Sequence, residues 1–254
     1  MCVAAFAWKA HPRWRLVLAG NRDEFHARPT AALAAWDDGS GIRAGRDLQA
    51  GGTWLGVGRE GRLALVTNVR DLHHDQRGLS RGWLASDWLK DEDSAQARTQ
   101  ALLVQAHTYR PFNLLLADAQ ACYWSSNLPQ ARALAIAPGV HSLSNAELDT
   151  PWPKAAMLAA RVQAWVEQDE DDNFEPLLQA LADDRVWPDS ELPDTGVGLA
   201  RERLLSSAFI RGRDYGTRAS TIIAIDQSSK GLIIERRWGP DGIALGESIL
   251  QLED

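Results

Sequence analysis

Two apolar stretches near the start of the chain decide the fold: residues 1–8 read MCVAAFAW, and residues 14–24 read WRLVLAGNRDE. The segment between them contains His11-Pro12, and this dipeptide predicts a turn because proline fixes its own φ and restricts the preceding residue. Strands at 3–8 and 14–19 would then pair as an antiparallel hairpin. Since both stretches are apolar on both sides, we expect a sheet that is covered on both faces.

The rest of the chain predicts further strands, with helices in the middle and towards the end. Periodicity and turn residues predict strands at 32–36, 42–47, 53–58, 62–69, 112–117, 121–125, 133–137, 140–143, 220–226 and 232–238. Helices are predicted at 79–89, 94–106, 153–167, 174–183 and 199–209. No linker or internal repeat divides residues 1–254, so the sequence predicts one α+β domain with an antiparallel core and helical covers.

Composition and charge argue against several classes of function. The 254 residues carry a net charge of −7, which argues against a protein that coats nucleic acid. The apolar runs are far shorter than the ~18 residues that span a bilayer, so we expect no integral membrane segment. The first apolar run precedes its basic residues, which is the reverse of a signal peptide. With 2 cysteines in the chain, we expect free thiols and a cytoplasmic location.

Two short motifs are weaker evidence of function than they first suggest. Residues 56–61 read GVGREG, which matches a dinucleotide-binding fingerprint, but that fingerprint must open a helix and a strand is predicted here. We therefore interpret it as a hairpin turn. His73-His74-Asp75 could ligate a metal or haem, yet neighbouring histidines on a loop are more often simply solvated.

Cys2 is the most informative single residue. On its own, it could be a small core residue at the start of a strand. However, methionine before a small side chain is routinely removed, which would leave the cysteine thiol and a free α-amine on the same residue. An α-amine has a pKa of ~8 and can act as a base near neutral pH. Because the thiolate is the attacking species, such a residue would supply both nucleophile and base.

Several motifs accompany Cys2 at wide intervals. Asn21-Arg22-Asp23-Glu24 follows the second predicted strand. The other motifs are GGTWLG at 51–56, TNVR at 67–70, LSNA at 143–146, PWPK at 151–154 and YGTR at 215–218. Together they resemble the NRDE family, also called the transport-and-Golgi-organisation type. That family in turn resembles N-terminal-nucleophile hydrolases of the penicillin V acylase and bile-salt hydrolase type. The resemblance implies a four-layer αββα sandwich.

The resemblance also implies a set of site residues. The matching positions are Cys2, Arg22, Asp23, Asn68, Asn145 and Arg218. In the hydrolases the cysteine is the nucleophile, an arginine and an aspartate follow on the second strand, and an asparagine contributes to the oxyanion hole. A second asparagine and a late arginine complete the site.

The spacing of Arg22 and Asp23 departs from the hydrolases, in which these two residues are separated. Adjacent residues on a regular strand face opposite sides, so only one of the two can face Cys2 unless the strand bends. The alternative is that two residues among 21–24 form a structural ion pair or cap the end of the strand.

Two functions remain open from the sequence. The first is hydrolysis, by Cys2, of an amide or thioester in a small acyl substrate, with no cofactor required. The second is a carrier protein on the same fold, because members of the family are implicated in the trafficking of haem and the handling of acyl-CoA-type lipids. Haem would then be a cargo. Fold alone does not distinguish an enzyme from a carrier.

Overall fold

The computed structural model describes residues 2–70, 77–168 and 172–253. The strands are β1 (Cys2–Trp8), β2 (Trp14–Phe25), β3 (Thr30–Ala35), β4 (Arg43–Asp47), β5 (Leu55–Val57), β6 (Leu63–Asn68), β7 (Phe112–Ala117), β8 (Cys122–Ser126), β9 (Arg132–Ala135), β10 (Gly139–Leu143), β11 (Tyr215–Asp226), β12 (Gly231–Trp238) and β13 (Ala244–Leu252). The helices are α1 (Arg81–Lys90), α2 (Ala95–Gln105), α3 (Pro153–Gln168), α4 (Glu175–Leu181) and α5 (Leu199–Leu204).

The strands form two antiparallel sheets. The first has the order β10-β1-β2-β11-β12-β13, and the second has the order β3-β4-β5-β6-β7-β8-β9. The predicted first hairpin is confirmed, since β1 pairs antiparallel with β2 in the interior of the first sheet. Strands β9 and β10 follow each other in the chain but belong to different sheets, so the chain crosses between the layers there.

The alternation of side chains along β1 and β2 explains the layers. Ala4 and Phe6 of β1 pack with the apolar face of the second sheet. Val3 and Ala5 point the other way and pack against α3 and α4. A third cluster lies between the second sheet and the helices α1 and α2. The order of layers is therefore helices, sheet, sheet, helices, which confirms the αββα sandwich that the resemblance implies.

The turn at 59–61 joins β5 directly to β6, so the hairpin interpretation of the GVGREG motif is confirmed. Glycine is required at Gly58, because a Cβ there would lie 2.4 Å from the carbonyl oxygen of Leu89. The His73-His74-Asp75 motif lies outside the described residues. Within the described residues, no helix is long and apolar enough to span a bilayer.

The structure differs from the predicted elements in several places; β11, for example, begins at Tyr215 rather than at residue 220. The second strand continues to Phe25, because residues 20–25 pair with β11 and their start also pairs with β1. The helix predicted at 199–209 ends at Leu204. The edge strand β13 was not predicted, and most of its residues are exposed, so its sequence lacks the apolar alternation of a half-buried strand.

Asn21 links β2 to the helical layer above it. Its side chain is buried, and Nδ2 donates to the carbonyl oxygens of Leu181 and Ala208, each at 2.8 Å. Leu181 is the last residue of α4, where the final carbonyls of a helix have no partner within the helix. The first residue of the NRDE motif therefore stabilises the attachment of a helix to the sheet.

Asn21→Ala would leave both carbonyl oxygens buried without a donor. We expect the free energy of unfolding to fall by about 2–6 kcal/mol, since two buried groups lose their donor and each unsatisfied group costs roughly 1–3 kcal/mol. Denaturant unfolding followed by circular dichroism measures this change. Gln100→Ala on the exposed side of α2 is the matched control and should change stability by less than about 0.5 kcal/mol. Equal losses in both variants would contradict a structural role for Asn21.

Candidate active site

Strand pairing places Cys2 directly opposite Arg22. The two residues are Cα partners in the β1–β2 ladder, and directly opposed residues of an antiparallel pair project to the same face. That face is the one between the two sheets, where Ala4 and Phe6 also lie. Both side chains are buried, with exposed fractions of 9% for Cys2 and 6% for Arg22.

Arg22 and Asp23 project into different layers. The Arg22 guanidinium lies 4.3 Å from the centre of the Trp54 ring and donates to Thr30 Oγ1 at 3.3 Å, between the sheets. Asp23 lies on the helical side, where Thr217 Oγ1 donates to its Oδ1 at 2.8 Å. Arg22 therefore shares a face with Cys2, and Asp23 approaches Cys2 from the other side of the strand.

A bulge in β11 accommodates this arrangement. Asp23 pairs with Thr217 and Arg22 pairs with Ala219, so Arg218 is the extra residue on β11. A bulge redirects the side chain of its inserted residue and leaves the partner strand regular. The irregularity that accompanies the adjacent Arg22 and Asp23 therefore lies in β11, and β2 itself does not bend.

The thiol lines a cleft of about 110 Å³. Cys2, Arg22, Asp23 and Asn68 all line it, so the structure brings together four of the six residues that the sequence singles out. The cleft is small compared with the ~300–1,000 Å³ typical of small-molecule sites. Its dimensions suit a reacting carbonyl group and its immediate neighbours.

Asn145 is connected to the cleft of Cys2 by a hydrogen bond to Asn68. Its Nδ2 donates to the Asn68 carbonyl oxygen at 2.9 Å, and its Oδ1 is buried without a hydrogen-bond partner in the described part of the chain. Asn145 lines a separate pocket of about 510 Å³ rather than the cleft of Cys2. The Asn68 carboxamide makes no hydrogen bond with the described residues, so its N–H donors can serve a ligand.

Arg218 is not among the residues that line the cleft of Cys2. Its Nη1 donates to the carbonyl oxygens of Phe25 at 2.9 Å and Arg28 at 3.1 Å. It lines a neighbouring pocket of about 230 Å³ together with Arg22. In this structure, Arg218 holds the chain that leaves β2, and Arg22 lines both the cleft and this neighbouring pocket.

Sequence reasoning assigned no role to Lys154, the last residue of the PWPK motif. Its side chain is 2% exposed, and Nζ donates to the Leu205 carbonyl oxygen at 2.8 Å. Burial lowers the pKa of Lys154 to about 8, although the charges of Asp23 and the Cys2 thiolate favour its protonated form. A lysine near the start of a predicted helix is common in proteins that have no site there. Only the burial of Lys154 in the structure indicates a role in the site.

Burial dominates the electrostatics of the nucleophile. It raises the pKa of the Cys2 thiol above its usual value, while the charge of Arg22 and a backbone hydrogen bond at Asp23 act in the opposite direction. Burial also raises the pKa of Asp23, and the positive charge of Lys154 opposes that effect. A thiol in this setting needs a nearby base to become a nucleophile.

Comparisons with known proteins show the family to which the chain belongs. The family model described as Transport and Golgi organisation 2 matches residues 1–240. The chain belongs to this family. It is 32% identical over 256 residues to a Transport and Golgi organization protein 2 homolog of Bos taurus, covering 93% of this chain and 92% of that one. It is 30% identical to the Homo sapiens homolog with the same coverage.

Two solved structures to which this Transport and Golgi organisation 2 family member is similar are those of hydrolases. A Caenorhabditis elegans ortholog of N-acylethanolamine-hydrolyzing acid amidase matches with a TM-score of 0.51, covering 89% of this chain and 93% of the other. A mutant conjugated bile acid hydrolase from Clostridium perfringens matches with a TM-score of 0.53, covering 100% and 97%. At 8% identity in both cases, these matches establish the fold alone.

The described residues contain no cluster of three or more His, Cys, Asp or Glu side chains that could hold a metal ion. Cys122, the second cysteine, is buried in the core between the sheets, and burial raises its pKa far above the usual value. Of the two thiols, only Cys2 lines the cleft.

Lys154→Met removes a positive charge that favours the ionised forms of Asp23 and the Cys2 thiol. We expect Cys2 to react with iodoacetamide several-fold more slowly at about pH 7. Wild-type Lys154 loses its own proton near its pKa of about 8. The alkylation rates of wild type and Lys154→Met, plotted against pH, should therefore converge above that value. Lys154→Arg keeps the charge and should retain the wild-type profile. Profiles that coincide throughout would contradict this role for Lys154.

Proposed function

We propose that this protein is an N-terminal-cysteine hydrolase that cleaves an amide or thioester bond in a small acyl substrate after Met1 is removed. The observation that carries the proposal is the shared cleft of Cys2, Arg22 and Asn68, which places a thiol in one cleft with a carboxamide that makes no hydrogen bond to the part of the chain that the structure describes. The fold it shares with two hydrolases supports the same class of reaction.

The proposed reaction has two steps. The α-amine of Cys2 takes the thiol proton, and the sulfur attacks the substrate carbonyl carbon to form a tetrahedral oxyanion. The carbonyl re-forms as the C–N or C–S bond breaks, and the leaving group takes the proton from the ammonium. Water then attacks the acyl-cysteine thioester, which releases the acid and regenerates the thiol.

The site residues fit roles in these steps. Asn68 would stabilise the oxyanion with its side-chain N–H, together with a backbone N–H, and such a donor is typically worth ~3 kcal/mol. Asp23 would orient the ammonium of Cys2 from the helical side of the strand. Arg22 would stabilise the thiolate, because its charge already favours that form of Cys2. Asn145 would position Asn68 through the bond to its carbonyl oxygen.

The small size of the cleft favours hydrolysis at Cys2 over the binding of a large cargo in that cleft. A cleft of about 110 Å³ is much smaller than a haem or an acyl-CoA-type lipid. The trafficking of such a cargo stays a prediction of the sequence, which the family name Transport and Golgi organisation 2 makes reasonable. Hydrolysis by Cys2 is the function that the arrangement of residues supports best.

Cys2→Ala removes the nucleophile and should abolish turnover in a panel of N-acyl amino acids and short acyl thioesters. We expect a loss of at least about a thousandfold, because the remaining groups only bind and polarise the substrate. Cys122→Ala is the matched control and should keep its activity, since Cys122 lies in the core away from the cleft. Hydrolysis of the acyl compounds is followed by release of free amine or thiol.

A Cys2→Ala protein with full activity would overturn the proposal. If wild-type protein instead hydrolyses none of these compounds and changes the absorbance spectrum of added haem, the carrier function replaces it.

A further inference from the structure

Besides Arg28, which is paired with carboxylates, two guanidinium groups lie at the cleft of Cys2 and take no part in the reaction described above. Arg81 is the first residue of α1, and Arg110 lies just before β7. Both line the same cleft as Cys2. Arg81 is partly buried and donates through Nη1 to the Pro111 carbonyl oxygen at 3.2 Å, whereas Arg110 is exposed.

The acidic side chains of the cleft are engaged elsewhere. Arg28 forms an ion pair with Asp47 at 2.7 Å and a longer one with Glu24 at 3.9 Å. Asp23 is held by Thr217 on the helical side of β2. Over the described ranges, neither Arg81 nor Arg110 forms an ion pair with a carboxylate. This edge of the cleft is therefore locally positive in a chain whose net charge is −7.

This local positive charge is unfavourable in the absence of an anion. The pKa of Arg81 is lowered to about 10, chiefly by burial and next by the like charge of Arg110, while the negative charges of the Cys2 thiolate and Glu24 act in the opposite direction. The N-terminal end of α1 adds a partial positive charge, and Ser80 makes no side-chain hydrogen bond that would cap it. An anion bound at this edge of the cleft would interact favourably with the guanidinium groups of Arg81 and Arg110 and with the N-terminal end of α1.

We propose that Arg81 and Arg110 bind an anionic group, a carboxylate or a phosphate, on the substrate whose carbonyl Cys2 attacks. The inference rests on the proposed hydrolase function and adds a substrate class to it. The small part of the cleft receives the reacting carbonyl, and the arginines hold the charged end outside it. Neutral acyl amides would then be poor substrates.

Alkylation of Cys2 by two reagents tests this directly. Iodoacetate carries a carboxylate and iodoacetamide is its neutral isostere, so the ratio of their rate constants reports charge recognition. The reactivity of the thiol itself cancels in that ratio. We expect Arg81→Gln combined with Arg110→Gln to lower the iodoacetate-to-iodoacetamide ratio about tenfold. Arg161→Gln, on the exposed side of α3, is the matched control and should leave the ratio unchanged, and Arg81→Lys should retain most of it.

The outcomes separate the two proposals. An unchanged ratio in the double variant overturns the anion site, while alkylation of Cys2 still supports the nucleophile. If neither reagent modifies wild-type Cys2, the hydrolase proposal fails, and the anion site is then tested by thermal unfolding with inorganic phosphate or acetate. A higher midpoint in wild type than in the double variant supports the site, and the more effective anion identifies the group. No difference with either anion overturns it.

Discussion

Strand β1 pairs with β10 on one side and with β2 on the other, and this pairing positions the residues of the candidate active site. Every residue from Cys2 to Trp8 is buried, and the ladder to β2 sets Cys2 opposite Arg22. Ser144 Oγ also donates to the Cys2 carbonyl oxygen at 2.9 Å. The first strand is therefore held on both edges and both faces, whereas the first residues of most domains are poorly ordered. A nucleophile at this position is presented by a rigid element.

The same pairing forces charged groups into the interior. Asp23, Arg22 and Lys154 are each nearly inaccessible to water, and Arg70 forms an ion pair with Glu202 at 2.6 Å close to them. Buried charges contribute little or nothing to stability unless they are matched and hydrogen-bonded. Their concentration around Cys2, where several pKa values depart from their usual range, is typical of a functional site.

The sequence could predict the first hairpin, most strands and helices, and, through the family resemblance, four of the residues that line the cleft of Cys2. It could not predict that β2 continues through residues 20–25, because Gly20 and the charges after it are typical of a turn. What holds them in a strand is pairing with β11, about 190 positions later in the chain. The bulge at Arg218 and the burial of Lys154 likewise depend on contacts between distant segments, and no local pattern reports them.

If Cys2 acts as an N-terminal nucleophile, Met1 must be removed, and the intact mass of protein produced in its native host shows whether it is. The account predicts a mass that lacks Met1, and a single added group on Cys2 after treatment with a small electrophile. A mass that retains Met1 throughout would contradict the account, because the thiol would then have no adjacent free amine to serve as its base.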